Sequence, residues 1–207
     1  MALRRLLGGP RRGSSADVLV VGLGNPGAEY RHTRHNVGAD TVEVLAQRHG
    51  ERLRPERGTR AQVAQVRVEG RLLVLGVPDT YMNDSGLAVA ALVRRFGPVP
   101  LDRLVVVHDE LDLPVGRVRV KAGGGTAGHN GLKSVHAHVH DPGYLRVRIG
   151  IGKPPGRQPG AEHVLRRPGR AERDTLDVAV QAAADAVEAI TTVGVEAAMQ
   201  RFNTDAS

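Results

Sequence analysis

The 207-residue sequence contains no cysteine and no tryptophan, and aromatic residues make up only 2% of it. The lack of cysteine excludes disulfides, thiolate metal sites and a cysteine nucleophile. With so few aromatic rings, a broad base-stacking surface for single-stranded nucleic acid is not expected. No apolar run is long enough to span a membrane. The apolar stretch at the N-terminus ends at Gly8 and is too short for a signal peptide, so we expect a cytoplasmic protein.

The composition is that of an ordinary globular protein, with 41% hydrophobic and 25% charged residues. The length suits one domain with a sizeable core. The net charge of +7 favours a polyanionic partner, and a nucleic acid would be held mainly through its phosphates. We expect residues 1–16 to form a disordered basic tail.

Apolar periodicity predicts an α/β fold. Continuous apolar runs predict buried strands at 18–21 and 104–107, and a hairpin is predicted over 63–75. Alternating apolar and basic residues predict half-exposed strands at 118–121 and 145–151. Helical patterns cover 37–49, 86–96 and 171–193, and a loop rich in glycine and proline covers 152–160. We therefore predict a single globular domain with a mixed, mostly parallel twisted sheet flanked by helices.

The first strand is followed by Gly22, Gly24 and Gly27, which fit the G-x-G-x-x-G dinucleotide pattern. That pattern should open a helix directly, but Pro26 precedes the last glycine and no helical period begins before Val37. The acidic residue expected about 20 residues later, at the end of a second strand, is also missing. These differences argue against a dinucleotide site.

Four polar clusters each follow a predicted strand, where loops of an α/β domain can converge on one cleft. They are Asn25, Tyr30, His35 and Asn36; the segment 78–86; the segment 107–114; and the glycine-rich segment 121–131. A neutral histidine is the natural general base, and His35, His108 and His129 are the candidates. Neighbours on a strand point to opposite faces, so Asp109 should orient His35 rather than the adjacent His108.

Two groups could instead hold a metal. His136, His138 and His140 would share one face of a strand, but their segment is predicted to be helical, which separates them. Asp109, Glu110 and Asp112 could supply oxygen ligands, although a partly solvated strand end explains them equally well. No G-x-S-x-G occurs, so a serine nucleophile elbow is absent.

With these clusters assembled, the sequence closely resembles the bacterial peptidyl-tRNA hydrolase family. The resemblance lies in the segments 22–38, 80–86, 108–114, 123–133 and 146–152. It implies a catalytic domain over residues 17–200 and a C-terminal tail over 201–207. The implied enzyme is a cytoplasmic monomer that needs no metal or cofactor. It would hydrolyse the ester between the peptide and the 3′ end of tRNA, releasing tRNA for reuse in translation.

The resemblance also implies roles for individual residues. His35 would be the general base that activates water, Asp109 would keep it basic, and Asn25 would sense the first peptide group. The substrate site would be lined by Tyr30, Tyr81, Asn83 and Asn130, and tRNA phosphates would meet Lys121 and Arg148. Many family members carry His-Gly where this chain has Thr126-Ala127, so no role is transferred to Thr126.

Three other functions stay open at this point. An RNA-binding module without activity would keep binding after His35 is lost. A metal-dependent hydrolase built on Asp109, Glu110 and Asp112 would be inhibited by a chelator. A dinucleotide enzyme would bind a nicotinamide cofactor.

Overall fold

A computed structural model describes residues 15–97, 99–154, 156 and 158–204, and within them the chain forms seven strands and six α-helices. The strands are β1 Val18–Gly22, β2 Arg54–Glu56, β3 Ala61–Val68, β4 Arg71–Pro78, β5 Leu104–Glu110, β6 Val118–Ala122 and β7 Leu145–Gly150. The helices are α1 Val37–Arg48, α2 Ser85–Phe96, α3 Asn130–Val139, α4 Gly160–Leu165, α5 Arg170–Val193 and α6 Val195–Asn203. Short 3-10 helices cover Arg34–Asn36, Met82–Asp84 and Leu101–Arg103.

The strands form one sheet in the order β2-β3-β4-β1-β5-β7-β6. The four central strands, β4, β1, β5 and β7, are parallel to one another. At one edge β3 and β2 are antiparallel, and at the other edge β6 pairs antiparallel with β7. The predicted mixed sheet with a parallel centre is therefore confirmed.

Both faces of the central strands are buried, which explains their continuous apolar runs. Alternate residues of β1 enter opposite cores, with Val18 and Val20 on one side and Leu19 and Val21 on the other. The first core includes residues of α1 and α5, and the second includes residues of α2 and α3. The fold thus has three layers, and none of the helices in the described ranges is long and apolar enough to cross a bilayer.

Gly22, at the end of β1, and Gly38, at the start of α1, allow close packing of the helix on the sheet. A Cβ on Gly38 would lie 2.3 Å from the carbonyl oxygen of Val107, and one on Gly22 would lie 2.2 Å from that of Gly38. The N-terminal turn of α1 therefore packs directly on the backbone of β1 and β5. Since α1 begins at Val37, ten residues beyond Gly27, the glycine pattern does not open a helix, as a dinucleotide site would require.

The structure corrects several sequence-based expectations. Strand β7 is buried rather than half-exposed, because Val147 and Ile149 pack into the core that contains α5 and the Arg146 side chain is covered by the glycine-rich segment. The sequence patterns also missed β2, α4 and α6.

The ends of the domain shift as well. Ala16 is buried and donates to the carbonyl of Phe96, so it belongs to the packed domain and not to a tail. At the other end α6 extends to Asn203, whose side-chain amide bonds both backbone groups of Val120, so residues 201–203 also belong to the fold. Ser15 and Thr204 are exposed, and residues 1–14 and 205–207 of the expected tails lie outside the described residues.

Candidate active site

Three of the four polar clusters meet in one cleft at the carboxyl ends of the parallel strands, and the segment 78–86 does not line it. His35 and Asp109 line a cleft of about 240 Å³ together with His129 and Asn130. The segment after β1 supplies His35, the end of β5 supplies Asp109, and the glycine-rich segment supplies His129 and Asn130, the first residue of α3. This is the position where α/β sheets bind their ligands. The convergence expected from the sequence is therefore observed for these four residues.

Asp109 is the centre of a histidine pair. Its carboxylate is 2% exposed and lies 2.9 and 3.0 Å from Nδ1 of His35 and 2.9 Å from Nε2 of His129. An ionised carboxylate only accepts hydrogen bonds, so both of these histidine nitrogens carry hydrogen. Nδ1 of His129 accepts from the backbone N–H of Leu132 at 3.3 Å, which fixes the same tautomer. The remaining nitrogen of His35, Nε2, is left with a lone pair.

In this group, each of His35 and Asp109 stabilises the charged form of the other. Burial lowers the pKa of His35, but the charge of Asp109 and its hydrogen bond outweigh burial, so the net pKa lies above the ordinary 6.5. Burial raises the pKa of Asp109, whereas the two histidines and their hydrogen bonds hold it well below the ordinary 3.8. Asp109 therefore stays ionised and increases the basicity of His35, as a carboxylate beside a general base should.

His108 is excluded as the base by its surroundings. Its Nδ1 donates to the backbone carbonyl of Asp109 at 2.7 Å, and the two side chains are not bonded to each other. Burial, followed by the proximity of His129, lowers the pKa of His108 to about 3. His108 is therefore a neutral core residue, and the prediction that it does not pair with the Asp109 carboxylate holds.

Asn25 is held by its neighbours in one orientation. Its backbone N–H donates to Oδ1 of Asn36 at 2.9 Å, and Nδ2 of Asn36 donates back to its carbonyl at 2.9 Å. Its own Oδ1 accepts the backbone N–H of Met82 at 2.7 Å. The side-chain NH₂ of Asn25 is thereby left as a donor. The same contact brings the exposed Asn83, the next residue after Met82, to this side of the site.

The two predicted tyrosines also lie together. The rings of Tyr30 and Tyr81 meet edge to face, with centroids 6.3 Å apart. Tyr81 is 56% exposed, which is unusual for a large aromatic side chain. The pair therefore offers an aromatic surface on the loops that also hold Asn25 and Asn83.

The glycine-rich segment is held by hydrogen bonds from the side chain of Arg146, on β7. This arginine is 3% exposed; Nη1 donates to the carbonyl of Gly125 at 2.6 Å and Nη2 to that of Gly124. Nη2 also donates to Nε2 of His136 at 3.1 Å. Ala127 lies in the left-handed region at φ 46°, where glycine is favoured.

The two predicted phosphate ligands differ in their environment. Lys121 is exposed on β6, at the edge of the sheet. Arg148 is partly buried, and its Nε and Nη2 bind Oε2 of Glu110 at 3.1 and 3.0 Å. Arg148 therefore already has a carboxylate partner beside the cleft.

Neither metal group suggested by the sequence is assembled. Glu110 pairs with Arg148 and Asp112 pairs with Lys153 at 3.0 Å, so these carboxylates neutralise cations. The histidines around α3 are separated: His136 bonds Arg146, and His138 bonds the carbonyl of Ser134. Among the described residues, the group that could hold an ion is His35, Asp109 and His129. A metal there would have to replace both hydrogen bonds to Asp109.

Comparison with known proteins decides the family. The family model of peptidyl-tRNA hydrolases matches residues 19–207. A peptidyl-tRNA hydrolase of Nocardia farcinica is 51% identical over 92% of this chain and 98% of its own length. One of Cutibacterium acnes is 48% identical over 91% and 99%. The crystal structure of the enzyme from Acinetobacter baumannii superposes with a TM-score of 0.84 at 36% identity, covering 95% of this chain and 98% of its own.

The chain belongs to the peptidyl-tRNA hydrolase family. This confirms the resemblance seen in the motifs and identifies the chain as a member of a family of hydrolases. The family assignment also removes the dinucleotide reading of the first loop. It leaves the roles of individual residues to be argued from their contacts.

Sequence reasoning missed several parts of this hydrolase site. It treated His129 as a rival base, whereas it is a second donor to Asp109. It assigned no role to Arg146, which supports the glycine-rich segment. It also read the start of α4 as loop, although Gly160, Ala161 and Val164 form one wall of the cleft. The His129-Asn130 pair after the glycines was a usable signal, but nothing in the local sequence marks the α4 wall.

Proposed function

We propose that this chain hydrolyses the ester that joins the peptide to the 3′-terminal ribose of peptidyl-tRNA, with His35 as general base. The observation that carries the proposal is the hydrogen bond from Nδ1 of His35 to Asp109, which leaves Nε2 unprotonated in the cleft. A base of this kind is worth roughly 100- to 10,000-fold in rate. The chain acts as a monomer in the cytoplasm, where translation supplies the substrate.

The reaction needs only water and groups already present. His35 Nε2 takes a proton from water, and the resulting hydroxide oxygen bonds to the ester carbonyl carbon. The carbonyl oxygen becomes an oxyanion, which the side-chain NH₂ groups of Asn83 and Asn130 stabilise. When the carbonyl reforms, the bond to the ribose oxygen breaks and the protonated His35 returns its proton to that oxygen. The products are a peptide acid and free tRNA.

Asn25 supplies the selectivity for blocked substrates. Its Oδ1 is occupied by the N–H of Met82, so its NH₂ faces the substrate as a donor. The carbonyl of the first peptide group accepts that hydrogen bond. Free aminoacyl-tRNA has an ammonium group there, which only donates, so it leaves the Asn25 amide unpaired. The Tyr30–Tyr81 surface lies beside this point and contacts the substrate chain.

The test compares N-acetyl-aminoacyl-tRNA with free aminoacyl-tRNA for the wild type, His35→Ala and Asn25→Asp. We expect the wild type to cleave the blocked substrate selectively and His35→Ala to lose that activity. Asn25→Asp presents an acceptor in place of the NH₂, so the preference should move toward the free ammonium form. Equal cleavage of both substrates by the wild type, or full activity in His35→Ala, contradicts the proposal.

Each assay also has an arm with a chelator, because His35, Asp109 and His129 could hold an ion. Activity that survives the chelator supports the hydrogen-bonded mechanism. Loss of activity with the chelator, restored by added metal, would instead support a metal-dependent hydrolase and overturn the role of His35 as base.

Lys121 and Arg148 hold the tRNA through phosphates in this proposal. Lys121 is exposed, and Arg148 would share its guanidinium between Glu110 and a phosphate. Lys121→Ala should weaken tRNA binding and reduce the slope of log affinity against log salt by about 1. The matched control is Arg71→Ala, which removes an exposed charge from β4, three positions from β7 and four positions from β6 in the sheet. An unchanged slope for Lys121→Ala contradicts the phosphate contact.

A further inference from the structure

The residue before the proposed base has a side chain that the reaction does not use. Arg34 lies in the same 3-10 helix as His35, and its side chain is only 10% exposed. Its Nε and Nη2 bind the two carboxylate oxygens of Glu172 at 2.6 and 2.7 Å. Its Nη1 donates to the carbonyls of His163 and Arg166 at 3.2 and 3.1 Å. One guanidinium thus makes four hydrogen bonds, and none of them is to a polar side chain of the cleft.

These contacts join three separate segments of the chain. His163 and Arg166 lie at the end of α4, and Glu172 lies in the first turn of α5. The segment that carries His35 is therefore tied to both helices at once. The backbone N–H of Arg34 also bonds the carbonyl of Arg166 at 3.4 Å, which reinforces the same connection.

Helix α4 depends on such a tie. It has six residues, and a helix of that length is not stable alone. At its end the carbonyl of His163 accepts the backbone N–H of Arg166 at 3.3 Å and has a second lone pair for a further donor, and a positive charge there is favourable. Arg34 supplies both the donors and the charge. Fixing the end of α4 also fixes the part of the helix where Gly160, Ala161 and Val164 line the same cleft as His35 and Asp109.

We propose that Arg34 is a positioning residue that holds α4 as the wall of the catalytic cleft and so confines the ester against Nε2 of His35. This inference rests on the proposed function of His35. A displacement of about 1 Å in such a wall can cost on the order of 100-fold in rate, because the reacting atoms lose their alignment. Since phosphate contacts outside the cleft hold the tRNA, the loss should appear in kcat and leave KM nearly unchanged.

The protein contains a matched control for this tie. Arg48 joins α1 to α5 by the same kind of contacts, with Nη1 on Asp185 at 2.7 Å and Nη2 on Gln181 at 2.6 Å. None of these residues lines the cleft. Arg48→Lys therefore reports what the loss of a multidentate arginine between helices does to stability alone.

The experiment compares Arg34→Lys, Glu172→Gln and Arg48→Lys for kcat, KM, Tm, the pH profile and backbone hydrogen exchange over residues 160–166. For Arg34→Lys we expect kcat to fall roughly 10- to 100-fold, KM to stay within about threefold, and exchange in α4 to accelerate. The acid limb of its pH profile should not move, because the His35–Asp109 bond is intact. Glu172→Gln keeps the contacts of Arg34 with the two carbonyls, so its kcat should fall less than that of Arg34→Lys. If Arg34→Lys does not fold, Glu172→Gln carries the test with the same readouts.

Arg48→Lys should lower Tm without changing kcat or the exchange of α4. The inference is overturned if Arg34→Lys and Arg48→Lys have the same kcat, or if kcat falls while exchange over 160–166 is unchanged. It fails separately from the proposed function, because full activity of His35→Ala would remove the base and leave the exchange result standing.

Discussion

Replacing Asp109 with asparagine should disable His35 by changing which nitrogen carries its proton. The carboxylate accepts hydrogen bonds from two histidines at 2.9 Å. Both bonds end on Oδ1, and Oδ2 lies 3.0 Å from Nδ1 of His35, so an asparagine NH₂ at either position meets a histidine nitrogen that already carries hydrogen. One imidazole then has to change its tautomer. His129 is restrained by the N–H of Leu132 on its other nitrogen, so His35 is the ring that changes. Its Nε2 becomes protonated and cannot accept a proton from water.

The expected loss in kcat/KM for Asp109→Asn is therefore the whole contribution of the base, on the order of 100- to 10,000-fold. The pH profile gives a second, independent signature. In the wild type the rate falls as the pH drops through the pKa of His35, which lies above 6.5. Without the Asp109 charge only the lowering effect of burial remains, so the acid limb should move to lower pH while the plateau falls.

The assay is single-turnover hydrolysis of N-acetyl-aminoacyl-tRNA across the pH range, with two comparison variants. His129→Asn leaves the His35–Asp109 bond in place and should cost less than Asp109→Asn. Asp185→Asn removes an exposed carboxylate bound to Arg48 and should change neither the single-turnover rate nor its pH profile. A plateau for Asp109→Asn within about threefold of wild type, or an acid limb that stays in place, would refute the reasoning.

The remaining predictions concern stability and the glycine-rich segment. The pKa of His108 is about 3 when folded and 6.5 when unfolded, so the wild type should lose about 2 kcal/mol from this group between about pH 7 and about pH 5. In urea unfolding, the free energy of unfolding of His108→Phe should not show this decrease. An equal decrease in the variant and the wild type would contradict the burial of a neutral His108. Arg146→Lys cannot reach two carbonyls and His136 together; it should cost about 1–3 kcal/mol and accelerate exchange over 123–128, and unchanged exchange would count against the anchor. Gly38→Ala puts a methyl group 2.3 Å from a carbonyl oxygen and should cost about 1–3 kcal/mol in thermal unfolding. Gly125→Ala, where an added methyl group would have nothing within 4 Å, should leave the free energy of unfolding nearly unchanged.

Periodicity predicted the parts of the fold that depend on burial of continuous apolar runs. The strands at 18–21 and 104–107 contribute side chains to both cores, which is why their apolar runs are continuous. The alternation of side chains along a strand also separated His108 from the Asp109 carboxylate and predicted the partner of His35 correctly.

Long-range contacts account for what the sequence could not predict. In β7, Arg146 alternates with apolar residues and resembles a solvent-facing residue, yet it is buried because the carbonyls of the glycine-rich segment surround its guanidinium. Arg34 looks like one more basic residue in a polar loop, but its partners lie about 130 residues further along the chain. Helix α4 exists through those contacts, so its six residues carry no helical pattern that could reveal it.

The most direct test of the central claim replaces His35 with asparagine and measures hydrolysis of N-acetyl-aminoacyl-tRNA and tRNA binding in the same preparation. The account predicts that the single-turnover rate falls on the order of 100-fold or more, while tRNA affinity and its dependence on salt remain those of the wild type. Hydrolysis at the wild-type rate by the asparagine variant would contradict the assignment of His35 as the base.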